Sequence, residues 1–331
     1  MDPLTQGLLG ATAAQTGAKK DHLRPAAFTG AISAMVADLD YYLHIPSDPL
    51  FNIEIHRQFS HSFLFIPIGA LIASVLLWWL LKKYLSFKEL YIYSLLGYAT
   101  AGLLDTFTSY GTRLLWPFLD TRFALNLISI IDPIVTLGLI LFVGIALYKK
   151  EKKYAWFAGG WLIFFLLFGW IQHQRATISA KNLAQSRGHL IQELVVKPTI
   201  GNQRLWRSNY ISNNIIYTDA IRTGLISGID IYQGESAARI IIEDEFSEFE
   251  NTVMFGDLLR FKRLSENFLV FHPEYPEVIG DARYSMLPTQ LNPLWGVKVD
   301  TTQTENHLPF LYFRDANEQV RQELLKMLLG K

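Results

Sequence analysis

The sequence contains no cysteine. Disulfides, thiolate metal ligands and a cysteine nucleophile are thereby excluded, and the absence is compatible with an extracytoplasmic domain. An excess of either charge is also missing, with 30 Lys+Arg against 30 Asp+Glu, so the overall balance gives no argument for a nucleic-acid partner. The chain opens M-D-P-L-T-Q-G and reaches its first lysine only at Lys19. That is unlike a cleavable signal peptide, so the later apolar segments are expected to do the targeting. G-x-G-x-x-G, G-K-[ST] and G-x-S-x-G are absent, which weakens a nucleotide site and a serine hydrolase. Repeats and low-complexity tracts are lacking as well.

What the chain has is apolar surface. Hydrophobic residues make up 50% and aromatic residues 14%, concentrated in the first half, which predicts a membrane part followed by a soluble part. Six membrane segments are expected, at residues 4–18, 25–43, 61–84, 88–107, 126–148 and 154–173. The first spans about 22 Å as a helix, short for a hydrocarbon core of roughly 30 Å. It and the second are rich in Ala and Gly, as in a tightly packed helical pair. The fold class expected is thus a polytopic α-helical membrane protein over residues 1–173 with an extracytoplasmic α+β domain over 174–331.

Orientation follows from the basic residues. Lys19, Lys20 and Arg24, then Lys82, Lys83 and Lys88, then Lys149, Lys150, Lys152 and Lys153 occupy alternate loops, against Arg57, Arg113 and Arg122 in the others. The positive-inside rule puts the first set in the cytoplasm of a bacterial-type inner membrane. Gln6, Asp38, Asp40, His56, His61, Asp105 and Asp132 then share the outer ends of their segments. After Gln172 a polar connector leads to β-type runs such as L-I-Q-E-L-V-V, N-N-I-I-Y-T, A-R-I-I-I-E and N-F-L-V-F. Helices are expected at 256–265 and at 315–329, the latter capped by Asp315. His272 is expected to be a solvated loop histidine.

The stretch from Ala37 to Ser62 carries the chemistry. It places two carboxylates, Asp38 and Asp40, near two imidazoles, His56 and His61, and G-L-L-D adds Asp105. Such a set suits zinc or a similar divalent ion, with manganese or magnesium as alternatives. Singly, each aspartate reads as a helix-end feature and each histidine as an interfacial hydrogen-bonder. Together, beside long apolar runs, they read as functional. In continuous helices Asp38 and Asp40 would diverge by about 200° and His56 and His61 by about 140°. The helix must therefore end near Asp38, and His56 must precede a helix that starts near His61, with Ser60 as its N-cap.

M-D-P-L-T-Q-G, A-D-L-D, H-R-Q-F-S-H-S, G-Y-A-T-A-G-L-L-D and I-I-D-P, in that order over residues 1–148, resemble the membrane-bound metal-dependent hydrolases of the YdjM type. The resemblance implies metal-dependent hydrolysis and a likeness to the zinc phospholipase C and P1 nuclease group, which cleave phosphoesters. It marks Asp38, Asp40, His56, His61 and Asp105. Two positions depart from its pattern: Gln6 stands where members commonly have His, and Ala101 replaces the His of G-Y-x-[ST]-H-x-x-x-D. Either a ligand has been lost naturally or the chain carries an inactivating substitution, and the intact surroundings favour the second.

The function expected is hydrolysis of a phosphoester in a lipid or lipid-linked substrate at the outer membrane surface. One to three ions would activate water, Asp40 or Asp105 would accept a proton, and Arg57 and Arg113 would stabilise phosphate charge. The alternatives are a lipid or metal transporter and a non-catalytic scaffold.

Overall fold

In a computed structural model, which describes residues 1–314 and 317–331, the chain begins with a helix pair built from small residues. Helix α1 (Pro3–Gly17) is capped by Asp2, whose side chain accepts from the Thr5 amide, and α2 (Leu23–Val36) returns beside it. They cross at Gly10 and Gly30. A Cβ on either would stand 2.3 Å or 2.2 Å from the other's carbonyl oxygen, so the backbones approach as only glycine permits. The short α3 (Phe51–Ile55) follows, then α4 (Ile66–Leu81) and α5 (Phe87–Thr106), which opens on a Ser86/Glu89 capping box. Asp132 caps α6 (Pro133–Lys149) by accepting from the Ile134 and Val135 amides. Helix α7 (Lys153–Ser186) is the longest, at 34 residues.

Among the described residues, two helices are long and apolar enough to cross a membrane, Phe63–Leu81 and Lys153–Ser186, while Pro133–Lys149 is a shorter apolar helix. The expected six-segment polytopic architecture is corrected accordingly. Helices α1 and α2 have 15 and 14 residues and bury Gln6, Gln15, Thr29 and Ser33 among their neighbours. They are core helices whose apolar character serves packing. Helix α5 carries Lys88, Glu89 and Asp105, and the segment expected from residue 126 is irregular up to Asp132. Helix α7 instead runs on through the polar stretch expected as a connector, because Ala176 and Ala180 pack against Val196, Trp206 and Ile221.

Met1–Leu43, Ile55–Ile171 and Ile200–Asn202 form one unit, and His44–Glu54, Gln172–Thr199 and Gln203–Lys331 form another. The second contains two antiparallel four-stranded sheets. One is the meander β1 (Glu193–Pro198), β2 (Leu205–Ser212), β3 (Ile215–Thr223) and β4 (Ile229–Ala238). After α8 (Ile242–Glu245) and α9 (Val253–Leu264) comes the other, β5 (Leu269–Phe271), β6 (Val278–Asp281), β7 (Trp295–Lys298) and β8 (Phe310–Tyr312). Ile211, Ile216, Phe268, Val270 and Leu291 form a core between strands of both sheets. The run A-R-I-I-I-E is no strand: Ile242 begins α8 and is buried beside Phe246 and Leu258. Helix α10 (Glu318–Leu329) is capped by Asn317, and Asp315, the expected cap, lies outside the described residues. His272 is buried against Tyr275 and Phe313, contrary to the expected solvated loop position.

Candidate metal centre

Three breaks in helical structure bring the acidic and imidazole groups together at one end of the first unit. Helix α2 stops at Val36, and the chain tightens into a 3-10 helix, Ala37–Tyr42, that carries Asp38 and Asp40. His56 and His61 lie in the non-helical stretch before the turn Phe63–Phe65, and α5 delivers Asp105 in its last turn. The expected helix end near Asp38 and loop position of His56 are thus present. Ser60 is not the expected N-cap; its hydroxyl donates to Asp40 and lies 2.9 Å from His61 Nδ1. Gly102 admits the approach of this stretch to α5, since a Cβ there would stand 2.3 Å from the His61 carbonyl oxygen.

Asp38, His61 and Asp105 converge. His61 Nε2 lies 3.2 Å from both Asp38 Oδ1 and Asp105 Oδ2. His61 Nε2 and Asp105 Oδ2 are buried and form no hydrogen bond in good geometry. Donor atoms held at about 2.0–2.2 Å by a tetrahedral ion stand roughly 3.3–3.6 Å apart, slightly wider than these contacts. Orphaned buried atoms are costly, and a cation between them removes the cost. The nitrogen and oxygen donor set therefore fits a divalent ion.

Asp40 has a different place. It is buried, with Oδ1 2.7 Å from His56 Nδ1 and Oδ2 accepting from the Arg57 amide at 3.0 Å and from Ser60. His61 Nδ1 is 3.6 Å away. Such a carboxylate fixes the orientation of imidazoles whose other nitrogens serve the site. Burial opposes ionisation of Asp40, but the hydrogen bonds and charges of His56 and His61 outweigh it and hold the carboxyl well below the usual range. Burial likewise disfavours a charged His61, yet Asp105, Asp38 and Asp40 push its imidazole up to about 10. Three carboxylates around one ring demand a positive charge, from a proton or from a metal ion.

Arg57 adopts a left-handed backbone conformation, φ 60, a geometry that costs a bulky residue energy. The twist directs its amide to Asp40, while its Nε reaches 3.1 Å from Asp105 Oδ2. Its guanidinium also lies 5.6 Å from the Tyr110 ring centroid. The Met1 amino group contacts Asp105 Oδ1. Arg113 turns elsewhere, pairing with Asp120 at 3.2 Å. Gln6 donates to the Ala34 carbonyl at 3.1 Å and keeps a buried, unpartnered Oε1. Ala101 is fully buried with Ala37, Ala70 and Tyr98. Asp132, placed with the site residues by sequence depth, serves as the α6 cap.

Sequence reasoning missed the roles of Ser60 and Tyr98, whose hydroxyl donates to the Ser60 carbonyl at 2.8 Å. Only the adjacency of Ser60 to His61 pointed to the first. It also missed a second cluster, Asp48, Asp257 and His307, whose members lie in the second unit and whose two aspartates are bridged by Arg260.

No solved structure matches the chain. Among curated proteins, the uncharacterized protein YfhP of Bacillus subtilis (strain 168) is 28% identical over 123 residues. That stretch covers 37% of this chain and 34% of YfhP, about a third of the relative's length. The model of the YdjM inner membrane protein family matches residues 1–176, which include Asp38, His61 and Asp105 and make up more than half of the 331, and the chain belongs to that family.

Proposed function

We propose that the protein is a membrane-bound metal-dependent hydrolase acting on a phosphoester of a lipid or lipid-linked substrate. The observation that carries this is the pair of buried atoms without hydrogen bonds, His61 Nε2 and Asp105 Oδ2, each within ion-pair distance of the other and facing Asp38 or Arg57. Asp38, His61 and Asp105 would hold the ion, zinc by the mixture of imidazole and carboxylate, with manganese or magnesium as the other choices. A bound divalent ion supplies Lewis acidity and lowers the pKa of water. Asp40 orients His56 and His61, and the Arg57 guanidinium stands where it can balance phosphate charge.

The surroundings support a lipid substrate. Leu39, Tyr42 and Leu43, next to Asp38 and Asp40 in the chain, are exposed, and Tyr42 is 73% so. His61 lies two residues before the apolar helix Phe63–Leu81, which supports a position near a bilayer boundary. Lys82 and Lys83 end that helix, and Lys149, Lys150, Lys152 and Lys153 precede or begin α7. With these lysines cytoplasmic, both apolar helices would emerge on the outer face, the first at its His61 end and α7 after its apolar run.

Metal content and turnover test the proposal together. The purified full chain, loaded with zinc or manganese, is expected to retain the ion and to release phosphate or alcohol from lipid-linked phosphates weakly. Ala101→His places an imidazole one turn before Asp105 and should raise both readouts, whereas Ala101→Gln, a poor transition-metal donor, should raise neither. Crowding against Ala37, Ala70 and Tyr98 should cost the His variant about 1–3 kcal/mol of stability. If neither the parent nor a folded Ala101→His variant retains a divalent ion, the hydrolase reading fails and a non-catalytic scaffold replaces it.

A further inference from the structure

The β3–β4 hairpin ends in the turn Gly224–Gly228, which exposes two large aliphatic side chains, Leu225 at 63% and Ile226 at 93%. A bare aliphatic tip is unusual unless something covers it. The covering surface is indicated by where the tip is fastened. Gln172 Nε2 donates to the Leu225 carbonyl at 3.0 Å. Arg175 donates to the carbonyls of Gly224 at 2.6 Å and Gly228 at 3.0 Å, and its Nη1 is 2.8 Å from Gln172 Oε1. Gln172 and Arg175 form the first polar turn of α7 after its apolar run, whose last residues, Trp170 and Ile171, are themselves half exposed.

We infer that the Leu225–Ile226 tip inserts into the interfacial layer of the bilayer that α7 crosses, as a second anchor for the C-terminal unit. Three observations agree. The tip is tied to α7 at the level where that helix passes from apolar to polar, which is where a bilayer surface lies if α7 spans. Its side chains are aliphatic, with Ser227 as the polar exception, and the nearest exposed acid, Asp230, is paired with Arg222. Three of its backbone acceptors are met by the protein: the Gly224, Leu225 and Gly228 carbonyls receive side-chain donors instead of depending on water. A loop entering an apolar layer has to satisfy its carbonyls in that way, whereas a solvated loop does not. Arg175 and Gln172 thus act as positioning residues for a lipid-facing hairpin, with the Arg175 charge at a depth where such side chains reach the interface.

The absence of cysteine makes the test direct. Single cysteines replacing Ile226, Phe164 on the exposed face of α7, and Asn213 at the opposite end of the sheet, about 27 Å away along the strands, each receive an environment-sensitive fluorophore. The full chain is reconstituted into phosphatidylcholine vesicles containing lipids spin-labelled near the headgroup or deep in the acyl chain. Phe164→Cys should be quenched by the deep label. Ile226→Cys should shift to the blue and be quenched by the shallow label, and Asn213→Cys should show neither change. Adding Arg175→Ala to Ile226→Cys should reduce the quenching, and Arg175→Lys should restore part of it. Emission from Ile226→Cys equal to that from Asn213→Cys overturns the inference. A blue shift without lipid quenching also overturns it, since a protein surface would then cover the tip. Failure to quench Phe164→Cys removes the bilayer from α7 and overturns it too. None of these readouts depends on metal binding or turnover.

Discussion

Each unit of the molecule gathers two aspartates and a histidine within ligand reach, Asp38, Asp105 and His61 in the first and Asp48, Asp257 and His307 in the second, and the two clusters answer their negative charge differently. In the second, one protein cation bridges both aspartates. Arg260 donates to both carboxylate oxygens of Asp48 at 3.0 Å, to Asp257 at 2.8 Å and to Glu54 at 2.7 Å. Asp257 also accepts from the Leu308 amide at 2.9 Å and faces His307 Nδ1 at 3.0 Å. In the first cluster Arg57 and the Met1 amino group meet Asp105 but not Asp38, and His61 Nε2 and Asp105 Oδ2 are left without hydrogen bonds. Residue types and distances are shared, so neither distinguishes a metal centre from an ion-pair network. The metal reading of the first rests instead on its buried ligand atoms that make no hydrogen bond.

The largest expected effect removes a ligand from each cluster in turn. Asp105→Ala should abolish tight zinc retention, because it takes away a fully buried donor and leaves Asp38 and His61 short of a filled first shell. Asp257→Ala should leave zinc content unchanged and lower stability instead, by about 1–3 kcal/mol, as Arg260 and the Leu308 amide lose a partner. Elemental analysis and thermal unfolding of both variants separate the cases. Equal zinc loss in the two would mean that the clusters do not differ as argued.

A smaller effect should come from taking away the internal cation. Arg260→Ala leaves Asp48, Glu54 and Asp257 facing one another, which should destabilise the fold by about 1–3 kcal/mol. It should also give the second cluster an affinity for divalent ions that the parent lacks. Calorimetric titration with zinc in an Asp105→Ala background isolates that gain. No heat of binding there would show that Arg260 is not what keeps a metal out.

How much of this was legible in the sequence depends on whether a signal is local. The apolar run at Phe63–Leu81, the non-helical placement of His56, and Asp105 at the end of α5 could be read from pattern and spacing. Span count could not, because the small residues of α1 and α2 serve close packing at Gly10 and Gly30. Strand β2 was passed over for the opposite reason: it is buried along its whole length yet carries Arg207, Ser208 and Asn209. Arg207 is accommodated by donating to the Leu287, Ala282 and Gln290 carbonyls, a solution invisible in a propensity reading. Nor could the excursion of residues 44–54 into the second unit be seen, since it rests on Leu50 in a distant core and on Arg260, more than two hundred positions from Asp48. That Asp105 faces Asp38 and His61 while Asp40 holds His56 and Ser60 likewise emerges only from the spatial partners.

The smallest effect concerns pH and the second cluster alone. Burial by itself would raise the Asp48 carboxyl, but hydrogen bonding and charge from Arg260, with lesser help from His307 and the Phe51 amide, hold it below its ordinary value of 3.8. A carboxyl depressed in the folded state stabilises fully above its unfolded value and loses that contribution as pH falls through the folded one. The parent should therefore be more stable than Asp48→Asn at neutral pH, and the difference should shrink only below about pH 4. Partial solvation of Arg260 and Asp48 keeps the difference under about 1 kcal/mol. Thermal midpoints of the two proteins between about pH 7 and pH 3 measure it. A gap that persists unchanged down to about pH 3 would mean that the charge on Asp48 does not carry the difference.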